Sequence, residues 1–359
     1  MSASKRARMP GAVLGDVRER WRVRRSGIWA HAWARLHFAS ACCLGIAFPA
    51  VVQGAAALDP TIYPNRPIRF IVGFPAGGGS DILARMIGQK LHENQGQQVV
   101  IDNRPGASGV IAAQIAARSE PDGYTIFMGT SGSLAVQVSL YKKLGYAPRK
   151  DFAPVSLVAS AQSILVVHPA LPANSVRELI AVAKQRPGDL SYASTGIGTS
   201  GHLAGELFKY MTGVDIVHVP YKGPAAMTDL VSGQVHLIFG RIPVVLPHLK
   251  SGRLRALAVT GTKRSALLPT LPTISESALP GFEVTAWFGI VVPSGTARPI
   301  IMKLNAEILR ILADPTVRQR LINDDFEPLT STPEEFAAHI TTETAKWAKV
   351  IRAAGIRAD

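Results

Sequence analysis

The sequence predicts an α/β protein, and three observations carry the prediction. β-type runs alternate with stretches of helical spacing along almost the whole chain from Ile68 onward. Several of those runs end in turns rich in Gly, Ser and Thr with a helix beyond, the order of a sheet covered by helices. The chain has 359 residues, 47% of them apolar, which is enough for a substantial core and suggests two domains.

The first β-run, 68–74, breaks into Pro75-Ala76-Gly77-Gly78-Gly79-Ser80-Asp81. Residues 81–93 then resume with Ile82, Leu83, Met86, Ile87 and Leu91 at helical spacing. Residues 98–102 read as a strand and 107–117 as a helix. The strand at 124–128 is followed by Gly129-Thr130-Ser131-Gly132-Ser133. A strand at 163–167 precedes a helix at 175–185, where Asn174-Ser175 ahead of Glu178 supplies an N-cap and an acid for the first turn. The strand 190–193 opens into Ser194-Thr195-Gly196-Ile197-Gly198-Thr199-Ser200-Gly201, with a helix from His202 to Met211. Then come a strand at 216–219, the turn Pro220-Tyr221-Lys222-Gly223, a helix at 225–232, and strands at 235–239 and 254–259. Thr332 as N-cap and Pro333 at the first helical position open a last helix reaching Ala354, with Phe336, Ile340, Trp347 and Ile351 near one face.

The formal charge of +14 points to nucleic acid until it is mapped. Residues 1–57 hold nine Lys and Arg against two acids, so half the excess lies in the first sixth of the chain. That segment reads as a cleaved export signal: a basic region to Arg35, an apolar stretch over 36–52, and small residues at Ala55-Ala56-Ala57. Both cysteines, Cys42 and Cys43, fall within it. The remaining chain has no thiol for a disulfide, a zinc site or a nucleophile. Without the leader no basic run remains, so a nucleic-acid partner is not expected.

The glycine-rich turns carry the chemistry. In an open α/β sheet, loops at the carboxyl ends of strands gather at a ligand crevice. Helix N-termini there offer unpaired N–H groups and the positive end of the helix dipole, which suits an anion. Gly196-Ile197-Gly198-Thr199-Ser200-Gly201 fits G-x-G-x-x-G, but Asp215 precedes the next strand where a dinucleotide site wants an acid at its end. No G-x-S-x-G elbow, H-E-x-x-H or nucleophile–base–acid spacing is present. The competing class is a nucleotide-dependent α/β enzyme, an oxidoreductase or a hydrolase on the same loops. Non-covalent capture of a small anion uses every loop and needs no catalytic group, cofactor or metal.

Several separated motifs then converge. Tyr63-Pro64 leads to Pro67-Ile68. Phe74 through Asp81 is followed by Arg85, then Asn103-Arg104-Pro105-Gly106-Ala107-Ser108-Gly109 and Pro121-Asp122-Gly123-Tyr124-Thr125. Tyr192-Ala193-Ser194-Thr195-Gly196 runs on to His202-Leu203-Ala204, and His218-Val219-Pro220-Tyr221-Lys222-Gly223 follows. Leu254 to Thr260, Leu271-Pro272-Thr273 and Pro280-Gly281-Phe282-Glu283 complete the series. In this order the sequence resembles the tripartite tricarboxylate transporter receptor family, also called Bug proteins, over residues 63–356.

The resemblance implies a two-lobed, type II-like periplasmic-binding-protein fold of the Venus-flytrap kind, with two crossing hinge segments. Lobe 1 would be 63–158 plus 285–359, and lobe 2 would be 159–284. It implies a monomeric periplasmic receptor that holds a small carboxylate between its lobes, for a two-component membrane permease or for sensing. The contacts would come from Phe74, Pro75, Ala76, Gly77, Gly78, Gly79, Ser80 and Asp81, with Thr130 and Ser131 beside them. Across the cleft would stand Ser194, Thr195, Gly196, Gly198, Thr199, Ser200 and His202, with Tyr221 and Arg241. Two departures from the family pattern matter. The stretch Pro224 to Leu230 looks one residue short, and Phe239-Gly240-Arg241 stands where many members carry Phe-Asp. The lost acid and gained base predict a preference for carboxylates without an amino group.

Overall fold

The computed structural model describes residues 62–221 and 225–357. The predicted leader, both cysteines and Lys222-Gly223-Pro224 lie outside the described residues. The first part of the chain alternates strand and helix: β1 (Ile68–Val72), α1 (Gly79–Gln95), β2 (Val99–Asn103), α2 (Val110–Ala117) and β3 (Thr125–Thr130). A π-helical turn (Gly132–Val136) runs into α3 (Gln137–Leu140), then α4 (Pro148–Asp151) and the 16-residue β4 (Phe152–Val167). The middle holds α5 (Val176–Gln185), β5 (Ser191–Ser194), α6 (Ser200–Thr212), β6 (Val217–Pro220), α7 (Ala225–Val231), β7 (Leu237–Arg241), α8 (Ile242–Lys250), β8 (Arg255–Val259) and α9 (Ile274–Ser277). The chain closes with β9 (Thr285–Pro293), α10 (Arg298–Ala313), α11 (Pro315–Asn323), β10 (Glu327–Pro328) and α12 (Pro333–Ala354).

The strands run in the order β2-β1-β3-β9-β4-β7-β5-β6, with β8 and β10 also on β4. The outer strands pair in parallel, β1 with β2 and β3, and β5 with β6 and β7. β9 and β4 are antiparallel to their neighbours. β4 changes partners along its length. Phe152 to Gln162 pair with β9, whereas Ser163 to Val167 pair with β7 and, from Ile164, β8. One strand therefore belongs to two halves of the sheet.

Strand alternation gives each half two buried faces. In the first half, Ile68, Phe70 and Val72 pack toward α1, α10 and α11, while Ile71 joins Phe127, Trp287, Val291 and Phe336. In the second, Leu165 and Val167 pack with Tyr192, Phe208 and Phe239, while Ile164 and Val166 pack with Leu230 and Ile238. α12 spans both halves: Phe336 and Ile340 join a core of the first, and Trp347, Val350 and Ile351 a core of the second. Buried Glu343 holds this helix in place, accepting hydrogen bonds from Trp287 Nε1 (3.2 Å) and Trp347 Nε1 (3.0 Å).

Candidate functional site

The carboxyl end of β1 leads into the glycine turn. Gly77 has φ 79°, a left-handed conformation that glycine adopts freely. The turn is braced from within by Asp81. Its carboxylate accepts hydrogen bonds from Gly77 N–H (2.8 Å), Arg85 Nε (2.9 Å) and Asn103 Nδ2 (2.9 Å), and Asn103 also donates to the Phe74 carbonyl (3.0 Å). Burial raises the pKa of this acid, but the hydrogen bonds from Arg85, Gly77 and Asn103 outweigh it and hold Asp81 below the ordinary carboxylate range. Its three donors come from the turn, from α1 and from β2, so Asp81 fixes the shape of the turn. Among the described residues no acceptor meets the N–H of Gly79 or Ser80, at the start of the 17-residue α1. Ser80 is buried, and Pro75 to Gly77 are exposed.

Thr130 ends β3, and Ser131 follows as the residue that caps the π-helical turn. Thr130 is tied to Ser133, its N–H to Ser133 Oγ (3.0 Å) and its hydroxyl to Ser133 N–H (3.2 Å). Ser131 is buried. A π-turn widens the helix by one residue and is frequent at functional sites.

The second half contributes the loop between β5 and α6. The helix starts at Ser200, two residues before the position read from the sequence. Ser194 Oγ lies 2.7 Å from His218 Nε2, and Gly198 N–H donates to His202 Nδ1 (3.1 Å). That bond places the proton of neutral His202 on Nε2. His202 is buried and its ring centroid is 4.3 Å from that of His218, which stacks in turn on Tyr192 at 4.8 Å. Burial pulls both histidines down to about 4; for His218 the neighbouring His202 adds to the effect. Both are neutral at pH 7 and buttress the loop from behind. Thr199 donates to the Gly196 carbonyl (2.7 Å). Tyr221 is held by its hydroxyl to Asp229 (2.8 Å) and by its N–H to the Ser194 carbonyl (2.9 Å). Thr195 is exposed, and Gly196, Thr199 and Ser200 are half-buried.

The two sets of loops meet. Ser108 Oγ donates to the Ile197 carbonyl across the junction (2.9 Å). A Cβ on Gly132 would stand 3.6 Å from the Gly198 carbonyl, and one on Gly196 would stand 3.5 Å from Ser108 Oγ. Ser108 belongs to a run of four positive φ angles, Gly106 to Gly109, in which Ala107 (45°) and Ser108 (52°) are not glycine. Gly73 packs on this run, its Cβ position only 2.8 Å from Gly109 Cα. The sequence contains that motif, but nothing in it marked Ser108 as a contact between halves.

Arg241, at the end of β7, turns toward α1. A Cβ on Gly79 would come within 2.9 Å of its Nη1. Its Nη2 donates to the Asp324 carbonyl (3.2 Å), and the guanidinium lies 4.5 Å from the centroid of Phe326. Burial lowers its pKa, against the opposing pull of Asp325 and Asp324. No carboxylate forms an ion pair with Arg241 among the described residues. A guanidinium without a direct ion pair thus stands at the positive end of a helix, beside free N–H groups. Asp324 to Phe326 had no signature in the sequence.

This fold and this junction of loops define a two-lobed solute-binding receptor. The comparisons with known proteins agree. The family model described as "Tripartite tricarboxylate transporter family receptor" matches residues 83–356, and the chain belongs to that family. It is 38% identical over 312 residues to Protein BugT of Bordetella pertussis, covering 86% of this chain and 96% of BugT. A solved Rhodopseudomonas palustris protein, Rpa4515 with adipate, is similar at 42% identity and TM-score 0.76, covering 82% of this chain and 99% of that one. MatC from the same organism, solved with bound malate, is 32% identical with TM-score 0.72, over 80% of this chain and 100% of MatC. Receptors of this family are periplasmic and take a small-molecule partner, and the relatives are receptors rather than enzymes.

Proposed function

We propose that this protein captures a small dicarboxylate between its two lobes, the glycine loops taking one carboxylate and Arg241 the other. One observation carries the reading: Arg241, from the far end of β7, stands against Gly79 at the N-terminus of α1, with Asp325 near enough to act on its charge but no direct ion pair among the described residues. The free N–H groups of Gly79 and Ser80 and the buried hydroxyls of Ser80 and Ser131 suit a carboxylate. Ser194 to Ser200 close over it from the second lobe, with Tyr221 and His202 supporting their loop. A guanidinium repels an ammonium group, so the ligand carries none. The adipate and malate found with similar proteins are dicarboxylates and support the reading.

The lobes in this reading are 63–158 with 285–359, and 159–284, and α12 straps the two together. The protein reaches the periplasm by its N-terminal signal, acts as a monomer and delivers its ligand to a two-component permease or a sensor. Titration calorimetry with adipate and α-aminoadipate tests the site. Adipate is expected to bind at least about tenfold more tightly, and R241A to weaken it by roughly tenfold to a hundredfold, the worth of a charge-assisted hydrogen bond. Tighter binding of α-aminoadipate, or no binding of either acid, would overturn the proposal.

A further inference from the structure

A cavity of about 380 Å³ lies apart from the glycine loops, a size that suits a small molecule. Its walls come from the crossing segment of β4 at Gln162, the loop carrying Lys263 and Ser265, α11 at Arg318, and the stretch Asp325-Phe326. It shares no residue with the loops of the proposed cleft. Its links to that cleft are Phe326, whose ring also carries Arg241, and Asp325, whose carboxylate feels the Arg241 charge.

The charges around this cavity are unusual. Asp325 is only 9% exposed, yet its Oδ2 is buried without a hydrogen-bond partner. A buried carboxylate oxygen left unpaired is costly, and native structures rarely leave one. The Ser265 hydroxyl and the Ile242 N–H also reach the carboxyl group. Burial raises its pKa to about 6, against the lowering pull of Arg241, so it is mostly ionised at neutral pH. Lys263 and Arg318 stand exposed on two different walls, and neither has an ion pair among the described residues. Arg264, between Lys263 and Ser265, is already committed to Glu276 at 3.0 Å. The cavity therefore has Asp325, with one unpartnered carboxylate oxygen, and exposed Glu327 on its walls, together with two cations that lack ion pairs among the described residues.

We infer that this cavity is a second binding site, for a small zwitterion whose ammonium group hydrogen-bonds to Asp325 and whose carboxylate is held by Lys263 and Arg318. The cavity differs from the dicarboxylate cleft in setting carboxylates among its cations, whereas the cleft presents a cation and free N–H donors. Three donors on an ammonium can satisfy the orphaned oxygen, and a dicarboxylate has none to give it. The walls come from chain segments on both sides of the β4 crossing, so an occupant would touch both.

The test is calorimetric titration of the purified protein with β-alanine and γ-aminobutyrate, with and without saturating adipate. One of the two is expected to bind, and to bind equally well when adipate is saturating. D325N keeps the size of the side chain, and asparagine tolerates the left-handed φ of 63° found here, so the variant is expected to fold. It should weaken zwitterion binding by at least about tenfold, as should K263A combined with R318A to a smaller degree. Binding that adipate abolishes, binding unchanged in D325N, or no binding of either probe would each overturn the site. Failure of adipate to bind would sink the dicarboxylate reading alone, because the D325N comparison does not depend on it.

Discussion

Single residues here do two different jobs, and burial separates them. Asp81 and His202 were both expected to touch the ligand; Asp81 spends its carboxylate on Gly77, Arg85 and Asn103, and His202 gives its Nδ1 to the Gly198 N–H and keeps its Nε2–H. A sequence shows that a polar residue sits in a loop, but whether the side chain faces the crevice or braces the backbone depends on contacts with distant residues such as Asn103 and His218. The histidine pair makes a stability prediction. Folded, His202 titrates near 4, whereas an unfolded imidazole titrates near 6.5. Between those values the unfolded chain binds more protons, so the stabilisation is complete above about pH 6.5 and is lost as pH falls toward 4. The difference is on the order of 3 kcal/mol for buried His202 and less for the partly exposed His218. Asp325 works in the opposite sense, since its raised pKa adds stability as pH falls through 6. The measurement is therefore comparative: urea midpoints at pH 7 and pH 5 for the wild type and for H202N, which can still accept from Gly198. The wild type should lose more stability than H202N on acidification; equal losses would mean the imidazole does not carry the effect.

At the scale of elements, the alternation of strand and helix was legible over much of 68 to 259, α3, α4 and α8 excepted, because most strands there are flanked by strong turn signals. The longest strands were not. Only the end of β4 was visible in the sequence, and β9 not at all, because both are buried along most of their length and show no alternation of apolar and polar residues. The last helix was read correctly from its cap, Thr332 with Glu335 reciprocally bonded and Pro333 behind it. Its clasp on β9 was invisible, since Trp287 and Glu343 are 56 residues apart. Removing that acid leaves two buried indole N–H groups unpaired, each worth about 1–3 kcal/mol. E343A should therefore lower the unfolding free energy by roughly 2–4 kcal/mol, read from denaturant unfolding followed by tryptophan fluorescence. A loss under about 0.5 kcal/mol would show that water replaces the carboxylate without cost.

For the whole molecule, the question is how strongly the two halves attract each other without a ligand. Ser108 to Ile197 and Arg241 to Asp324 and Phe326 already bridge them, and such contacts shift the equilibrium toward the closed state before any ligand arrives. A ligand closes the protein only by its differential affinity for that state. Small-angle X-ray scattering should show a smaller radius of gyration with adipate than without, and S108A should widen the difference by loosening the ligand-free form. Identical scattering curves in all conditions would mean that the halves do not move. The architecture itself was legible through the ordered motifs, but these contacts were not, because they join residues 83 to 89 positions apart with no shared pattern.

The position of β9 also bears on how the chain is made. Among the described residues it is the only strand bonded to both β3 and β4 over most of their lengths, and it begins at Thr285. A chain emerging from its amino end builds β3 and β4 long before β9 exists to lie between them. During that interval both strands present open, apolar edges, which are the surfaces on which unfinished proteins stick to one another. The second half, drawn mostly from the stretch between β4 and β9, can begin to assemble meanwhile, although Trp347, Val350 and Ile351 of its core arrive only with α12. Synthesis therefore passes through a stage with neither half closed, when a holding chaperone would matter most.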